Sequence, residues 1–270
     1  MNQSITESSS DFEHLDQMSV YEILAGINQE DAKVHAAVAK AIPQIESLVN
    51  RMLERLPSGG RVFYLGAGTS GRLGVLDASE IPPTYGVSGV INGLIAGGDA
   101  ALRKSIEGAE DDREKAWDEL LAMDIQPLDT VIGIAASGTT PYVIGGVVKA
   151  RAAGLLTGGI TCNPGSPLAL SAEYPVEIVV GPEFVTGSTR MKSGTAQKLV
   201  LNMISTSLMI RMGRVKGNKM VHMTPVNQKL VKRGTLMLVE ELGIDANKAH
   251  DLLLEHGSVK NVLDKIKGEE

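Results

Sequence analysis

The sequence predicts an α/β fold, a three-layer sandwich around a mostly parallel five-stranded sheet, with a helical N-terminal extension and a small helical C-terminal tail. Short apolar runs alternate with helical stretches between residues 61 and 180, as in β-α-β units. These runs are almost continuously apolar, which is typical of parallel strands buried on both faces. Glycine contributes 30 of the 270 residues, and it gathers with Ser and Thr directly after the apolar runs.

The composition excludes several classes of protein. Hydrophobic residues make up 43% of the chain, too many for a disordered protein, and no apolar run reaches the roughly 18 residues of a membrane helix. The first 16 residues are polar and acidic, unlike a secretory signal, so we expect a cytoplasmic protein. A single cysteine, Cys162, excludes an internal disulfide framework and a multi-cysteine zinc site.

The charge argues against nucleic acid as a partner. The net charge is −6, aromatic residues make up only 3%, and no block of like charges is present. The five histidines show no metal-ligand spacing, so no metal site is predicted.

The predicted organisation has three parts: a helical extension over residues 1–56, an α/β domain over residues 57–220 and a helical tail over residues 221–270. Ser19 and Glu22 have the spacing of a capping box, which predicts a helix from Val20. A second helix is expected from about Glu30, kinked or split by Pro43.

The remaining elements follow from the same patterns. The predicted strands are residues 61–65, 90–96, 130–135, 156–161 and 176–180. The predicted helices after residue 100 are 111–123, 141–153, 190–212, 222–242, 245–255 and 258–267.

Two loops follow predicted strands and combine glycine with hydroxyl side chains. They are residues 66–71 and residues 137–141. Ligands of open α/β sheets bind at the carboxyl ends of the strands, and free N–H groups at a following helix bind anions. Tight turns with helix caps explain one such loop equally well, but two of them favour a bound phosphate.

A dinucleotide site is the competing interpretation of the first loop. Gly66, Gly68 and Gly71 match G-x-G-x-x-G after a strand. The acidic residue expected about 20 residues later is missing, since the next one is Asp99. The hydroxyls and the second loop favour a sugar phosphate instead.

Two glutamates are candidates for acid and base chemistry. Glu80 is predicted at a helix end, because Pro82 and Pro83 follow, and Glu110 is predicted near the start of the next helix. Two carboxylates in different environments can divide the roles of acid and base. A solvated helix end for Glu80, and favourable interaction with a helix dipole for Glu110, remain open alternatives.

The segment 181–198 mixes hydroxyls, glycines and cations before a long helix. Arg190, Lys192 and Lys198 could supply positive charge to an anion, although a capped and solvated helix start explains the same residues. Cys162 is expected to be a small buried side chain at a strand end.

Four stretches together resemble a known family. Residues 66–86 (GAGTSGRLGVLDASEIPPTYG), 107–111 (EGAED), 135–142 (AASGTTPY) and 181–198 (GPEFVTGSTRMKSGTAQK) are similar to bacterial N-acetylmuramic acid 6-phosphate etherases, of the SIS (sugar isomerase) superfamily. The last stretch is shared mainly with glucokinase regulatory protein. The resemblance covers about residues 13–240, and the tail after Gly243 looks shorter than in many members.

The resemblance implies an SIS-type fold and a carbon–oxygen lyase that needs no metal or redox cofactor. It implies cleavage of the D-lactyl ether of N-acetylmuramic acid 6-phosphate, to N-acetylglucosamine 6-phosphate and D-lactate, in cell-wall amino-sugar recycling. Glu80 would be the acid and Glu110 the base, and we predict that burial raises the pKa of Glu80.

The same resemblance implies further contacts and a homodimer with its site near the interface. The implied substrate-binding residues are Gly68, Thr69, Ser70, Gly71, Ser137, Gly138, Thr139, Thr140, Glu183, Ser188 and Lys192. A non-catalytic sugar-phosphate regulator and an aldose–ketose isomerase are the alternative functions, and lactate release separates them from the etherase.

Overall fold

The structure, a computed structural model, describes residues 4–268. The strands are β1 (Val62–Gly66), β2 (Ile91–Ile95), β3 (Thr130–Ile134), β4 (Leu156–Thr161) and β5 (Tyr174–Glu177). The helices are α1 (Val20–Leu53), α2 (Gly68–Tyr85), α3 (Ala100–Arg103), α4 (Lys115–Ala122), α5 (Pro141–Ala152), α6 (Pro167–Ser171), α7 (Lys192–Arg211), α8 (Gln228–Leu242), α9 (Ala246–His256) and α10 (Val259–Gly268).

The five strands form one sheet in the order β2-β1-β3-β4-β5, and every neighbouring pair is parallel. The predicted sheet is confirmed and is wholly parallel. From β1 the chain first adds β2 on one side and then β3 on the other. The carboxyl ends of β1 and β3 therefore flank the switch point of the sheet, where ligands of open α/β sheets bind.

Helices cover both faces of the sheet, which confirms the three layers. Phe63, Leu65 and Val131 point to one face and join a buried cluster with residues of α4 and α5. On the opposite face Tyr64 lies against α2, since a Cβ placed on Gly74 would lie 3.1 Å from the Tyr64 Cβ. The alternation of side chains along buried parallel strands thus serves two helical layers.

Helix α1 begins where the sequence predicts, but it is not divided. The Ser19 hydroxyl accepts from the Glu22 N–H, and the Glu22 carboxylate accepts from the Ser19 N–H at 2.8 Å. The expected start of a second helix at about Glu30 is wrong, and so is a split at Pro43, because a single 34-residue helix contains both residues. A proline removes only one N–H donor, and buried side chains on both sides hold the helix together.

Helix α2 differs from the prediction at both ends. It begins at Gly68, in the first loop itself, so Thr69 and Ser70 lie in its first turn. It also continues through Pro82 and Pro83 to Tyr85, so the expected end at Glu80 is wrong. Each proline removes one N–H donor to the preceding turn, and the burial of Ile81 and Tyr85 in the same turn offsets that loss.

Two compact units make up the chain. One contains residues 4–78 and 90–205, and the other contains residues 79–89 and 206–268. In the second unit Leu238, Leu253 and Val262 belong to the buried cluster of α8, α9 and α10. Gly243 and Gly257 end α8 and α9 at positive φ. No helix within residues 4–268 has the length and apolar character needed to cross a bilayer.

Candidate active site

The loop after β1 divides into accessible and packed residues. Gly68 is exposed at a φ of +52°, and Thr69 is half-buried beside it. Ser70 is 8% exposed and donates to the Gln197 Oε1 at 2.9 Å. Gly71 is buried, and a Cβ there would lie 2.6 Å from the Ile95 side chain. Gly68 and Thr69, with the N–H groups of the first turn of α2, are therefore the anion-accessible part of this loop.

The loop after β3 keeps its hydroxyls at the surface of a cavity of about 440 Å³. Ser137 accepts from the Thr139 hydroxyl at 2.9 Å, and both residues line the cavity. Gly138 has a φ of +70°, and a Cβ there would overlap Ser166. Thr140 occupies the cap position of α5, but its hydroxyl makes no capping hydrogen bond, so a ligand can use it.

Asn163, which the sequence analysis did not select, ties this loop to the N-terminal segment. Its Nδ2 donates to the Ala136 carbonyl at 3.0 Å and to the Thr6 hydroxyl at 2.9 Å, and its Oδ1 accepts from the Thr6 N–H. Asn163 follows β4 at the same edge of the sheet, so the rule that found the two loops could also have found it. The N-terminal segment is thus docked, and its Ser4 and Ile5 line the cavity.

Two ionic groups of the third segment, Glu183 and Lys192, have partners inside the chain, whereas Arg190 and Lys198 are exposed. Glu183 is 1% exposed, and its two oxygens accept from the N–H groups of Lys192 and Ser193, each at 2.9 Å. The Lys192 Nζ lies in the interior and donates to the Glu30 Oε2 at 2.5 Å. Glu183 caps α7 and Lys192 anchors it to α1, so neither side chain is available to a ligand.

The environment of Glu30 shows how strongly this pair is held. Burial by itself raises the pKa of Glu30, but hydrogen bonds and charges from Lys192 and Lys33 outweigh burial, and the net pKa lies below its ordinary value. Glu30 is therefore the buried counter-ion that α1 provides for Lys192. No local pattern in the sequence pairs two residues 162 positions apart.

Ser188 differs from Glu183 and Lys192 in this segment. Its backbone forms a turn, donating to Val185 and accepting from Met191. Its side chain is half-buried and makes no hydrogen bond to the described residues. Its predicted role as a ligand contact therefore stays a prediction.

Glu110 lies on a cavity of about 350 Å³ at the carboxyl end of β1. It belongs to a short 3₁₀ turn, Ala109–Asp111, and it is exposed. Gly68 of the first loop, Arg72 and Glu107 line the same cavity. The start of α4 is capped by Asp112, which accepts from the Glu114 and Lys115 N–H groups, so the helix does not use Glu110.

Glu80 lies in the second compact unit, whereas Glu110 lies in the first. Its predicted burial is wrong for the chain as described, because its side chain is exposed. The physical reason is the continuation of α2, in which Ile81 and Tyr85 occupy the buried side of the helix. The role of Glu80 as an acid stays a prediction that rests on the motif.

A half-buried carboxylate, Asp77, lies in α2 beyond the first loop. The Asp77 carboxylate of α2 accepts from the Tyr64 hydroxyl at 3.2 Å and from the Ser205 hydroxyl at 3.0 Å. Burial raises the pKa of Asp77, although these two hydrogen bonds oppose the effect. These bonds join β1, α2 and α7, and the sequence analysis did not identify them.

Cys162 is buried, as expected, and burial raises the pKa of its thiol to about 12. The thiol is therefore protonated at neutral pH and is not a nucleophile. Among residues 4–268 no three His, Cys, Asp or Glu side chains gather in the manner of metal ligands.

Comparison with known structures places the fold. A phosphoheptose isomerase from Francisella tularensis has a TM-score of 0.53 and 16% identity, covering 73% of this chain and 100% of that chain. A Bacteroides fragilis protein, described as a phosphosugar isomerase involved in capsule formation, has a TM-score of 0.55 and 22% identity, covering 72% and 92%. At these identities the likeness concerns the fold alone.

Comparison with family models and curated proteins places the sequence. The N-terminal SIS domain of glucokinase regulatory protein matches residues 43–151, and the SIS domain matches residues 109–207. N-acetylmuramic acid 6-phosphate etherase of Christiangramia forsetii is 61% identical over 265 residues, which is 98% of this chain and 97% of the relative. The etherase of Bacteroides thetaiotaomicron is 63% identical over 261 residues, 96% of this chain and 94% of the relative. With this identity over nearly its whole length, the chain belongs to the N-acetylmuramic acid 6-phosphate etherase family.

Proposed function

We propose that this chain cleaves the D-lactyl ether of N-acetylmuramic acid 6-phosphate, giving N-acetylglucosamine 6-phosphate and D-lactate in the recycling of cell-wall amino sugars. The observation that carries the proposal is a carboxylate, Glu110, on a cavity that opens beside the first glycine-rich loop of an etherase-family chain. The reaction is an elimination followed by the addition of water.

Glu110 is the base of this mechanism. In the open-chain sugar the C1 aldehyde acidifies the proton on C2, and a carboxylate can remove it. Glu110 is exposed to the cavity and forms no ion pair within residues 4–268, so it is free to accept that proton. Removal of the C2 proton leads to the unsaturated aldehyde as the C3–oxygen bond breaks.

Glu80 is the acid, by its place in the motif. It donates a proton to the ether oxygen as D-lactate leaves C3. Water then adds at C3, a proton returns to C2, and the products contain the atoms of the substrate plus one water. These steps need only acid and base groups.

The hydroxyl loops bind the phosphate. Thr139 and Ser137 face one cavity, Thr140 has an uncommitted hydroxyl, and Thr69 lies in the first turn of α2. Hydroxyls and helix N–H groups are the donors that a phosphate dianion prefers at the switch point of a parallel sheet.

We also infer that the chain acts as a homodimer in the cytoplasm, with the site near the interface. The exposure of Glu80 supports this inference, because a partner surface could provide the burial that a protonated acid needs. Light scattering of the purified protein measures the mass; a monomer at working concentration would contradict the inference.

The test is D-lactate release from N-acetylmuramic acid 6-phosphate by the native chain and by Glu110→Gln and Glu80→Gln. We expect each substitution to lower kcat by about 10²–10⁴-fold. In deuterated water the two variants should differ: Glu80→Gln still exchanges the C2 proton, because the base is intact, and Glu110→Gln does not.

Glu107→Gln is the matched control, since Glu107 lines the same cavity and carries the same charge. It should change kcat by less than about threefold. Absence of lactate from the native chain would overturn the proposal. Interconversion of aldose and ketose phosphates would then indicate an isomerase, and binding without turnover would indicate a regulator.

A further inference from the structure

The cavity that holds Glu110 has one cationic side chain. Among its lining residues in the described chain, Glu107 and Glu110 are acidic and Arg72 alone is basic. Arg72 lies in α2, four residues after Gly68, so it belongs to the same turn-and-helix unit as the first loop.

The guanidinium of Arg72 is held in place without being neutralised. Its Nε donates to the Leu102 carbonyl at 3.0 Å, and its Nη2 donates to the Ala101 carbonyl at 2.8 Å. Arg72 forms no ion pair with any residue from 4 to 268, and it is half-buried. Two of its five N–H donors are used, so a fixed and uncompensated positive charge with free donors lines the cavity.

The chemistry of the substrate supplies a matching anion, and this step rests on the proposed function. The lactyl group carries a carboxylate one carbon from the ether oxygen, and that oxygen is bonded to C3, next to C2. A base that reaches the C2 proton therefore has the carboxylate close by. Glu107 and Glu110 would repel that carboxylate, and a positive charge in the cavity is needed to bind it.

We infer that Arg72 binds the carboxylate of the D-lactyl group and so selects the lactyl ether over sugar phosphates without a carboxylate. A guanidinium that is already fixed by two hydrogen bonds loses little side-chain entropy on binding, and its planar donors suit a carboxylate. The phosphate, at C6 of the sugar, is left to the hydroxyl loops.

The experiment compares two ligands that share the sugar and the phosphate. N-acetylmuramic acid 6-phosphate has the carboxylate, and N-acetylglucosamine 6-phosphate lacks it. Dissociation constants are measured by calorimetry for Glu80→Gln, in which turnover is slowed, and for the same protein with Arg72→Gln added. We expect Arg72→Gln to weaken the first ligand by about 10–100-fold and the second by less than about twofold.

Two further variants keep the result interpretable. Arg72→Lys retains the charge without the planar fork. Its dissociation constant for N-acetylmuramic acid 6-phosphate should lie between those measured with Arg72 and with Arg72→Gln. It replaces Arg72→Gln if that variant does not fold. Arg103→Gln removes an exposed cation from the neighbouring helix α3, outside the cavity, and should weaken neither ligand.

Equal weakening of both ligands would overturn the inference, since Arg72 would then bind the phosphate or only hold the backbone of residues 101 and 102. Unchanged binding of both would overturn it as well. Because affinity is measured apart from lactate release, a failure of the native chain to release lactate contradicts the proposed function separately.

Discussion

The segment 181–198 resembles the two hydroxyl loops after β1 and β3 in composition. The side chains of the two regions nevertheless differ in their surroundings. In the loops Gly68, Ser137 and Thr139 line cavities. In the segment Glu183 and Lys192 are buried and bonded within the chain. The difference teaches that the two loops are placed by parallel strands, whose carboxyl ends meet at one edge of the sheet. No such strand geometry places the segment 181–198. Charge in a glycine-rich segment is therefore a weak sign of a ligand.

The largest expected effect is a loss of stability when the buried lysine of the segment 181–198 is replaced. Lys192→Met leaves the buried Glu30 with Lys33 as its remaining partner, and we expect a loss of about 3 kcal/mol in the free energy of unfolding. Urea unfolding measures it. Lys198→Met, at an exposed position of the same helix, should change stability by less than about 0.5 kcal/mol.

A stable Lys192→Met protein that bound sugar phosphates poorly would show that the segment 181–198, like the two loops, binds the ligand. It would return Lys192 to the ligand role that the sequence predicts.

The next effect concerns the second loop, as lost affinity. Thr140→Val keeps the shape of the side chain and removes a hydroxyl that caps no helix. We expect binding of N-acetylglucosamine 6-phosphate to weaken about tenfold, with the melting temperature unchanged. Calorimetry and thermal unfolding measure the two quantities. A fall in stability without a change in affinity would show that this loop is structural as well.

A smaller effect is expected at Ser188, the residue of the segment that resembles the loops. Its hydroxyl has no partner in residues 4–268, so Ser188→Ala should weaken the same ligand about threefold and leave stability unaltered. The same titration tests it. An unchanged dissociation constant would show that the Ser188 hydroxyl does not contact this ligand.

The pH dependence of stability tests the buried ion pair of Glu30 and Lys192. The folded-state pKa of Glu30 lies below its ordinary value of 4.5, so ionised Glu30 stabilises the fold above that pH. This contribution should be lost as the pH falls through the lowered pKa. The stability difference between the native chain and Glu30→Gln should therefore be largest at pH 7 and shrink below about pH 4.5. A difference that grows in acid would contradict it.

Much of the fold could be predicted because its signals are local. The parallel sheet follows from apolar runs between helices, the start of α1 from Ser19 and Glu22, and the ends of α8 and α9 from their glycines. The prolines neither divide α1 nor end α2 at Glu80, because a helix held by packing tolerates a lost N–H that an isolated helix would not.

The sequence by itself determined the family, the sheet, and the two loops and the glutamate that line cavities at its edge. Only the tertiary structure decided which polar groups have partners and which line a cavity. Lys192 faces Glu30, Asn163 donates to Thr6, and Arg72 lines the cavity of Glu110. The reason is physical. Caps, turns and periodicity depend on neighbours within a few residues, whereas a buried charge or amide finds its partner anywhere along the chain, because desolvation penalises it until it does.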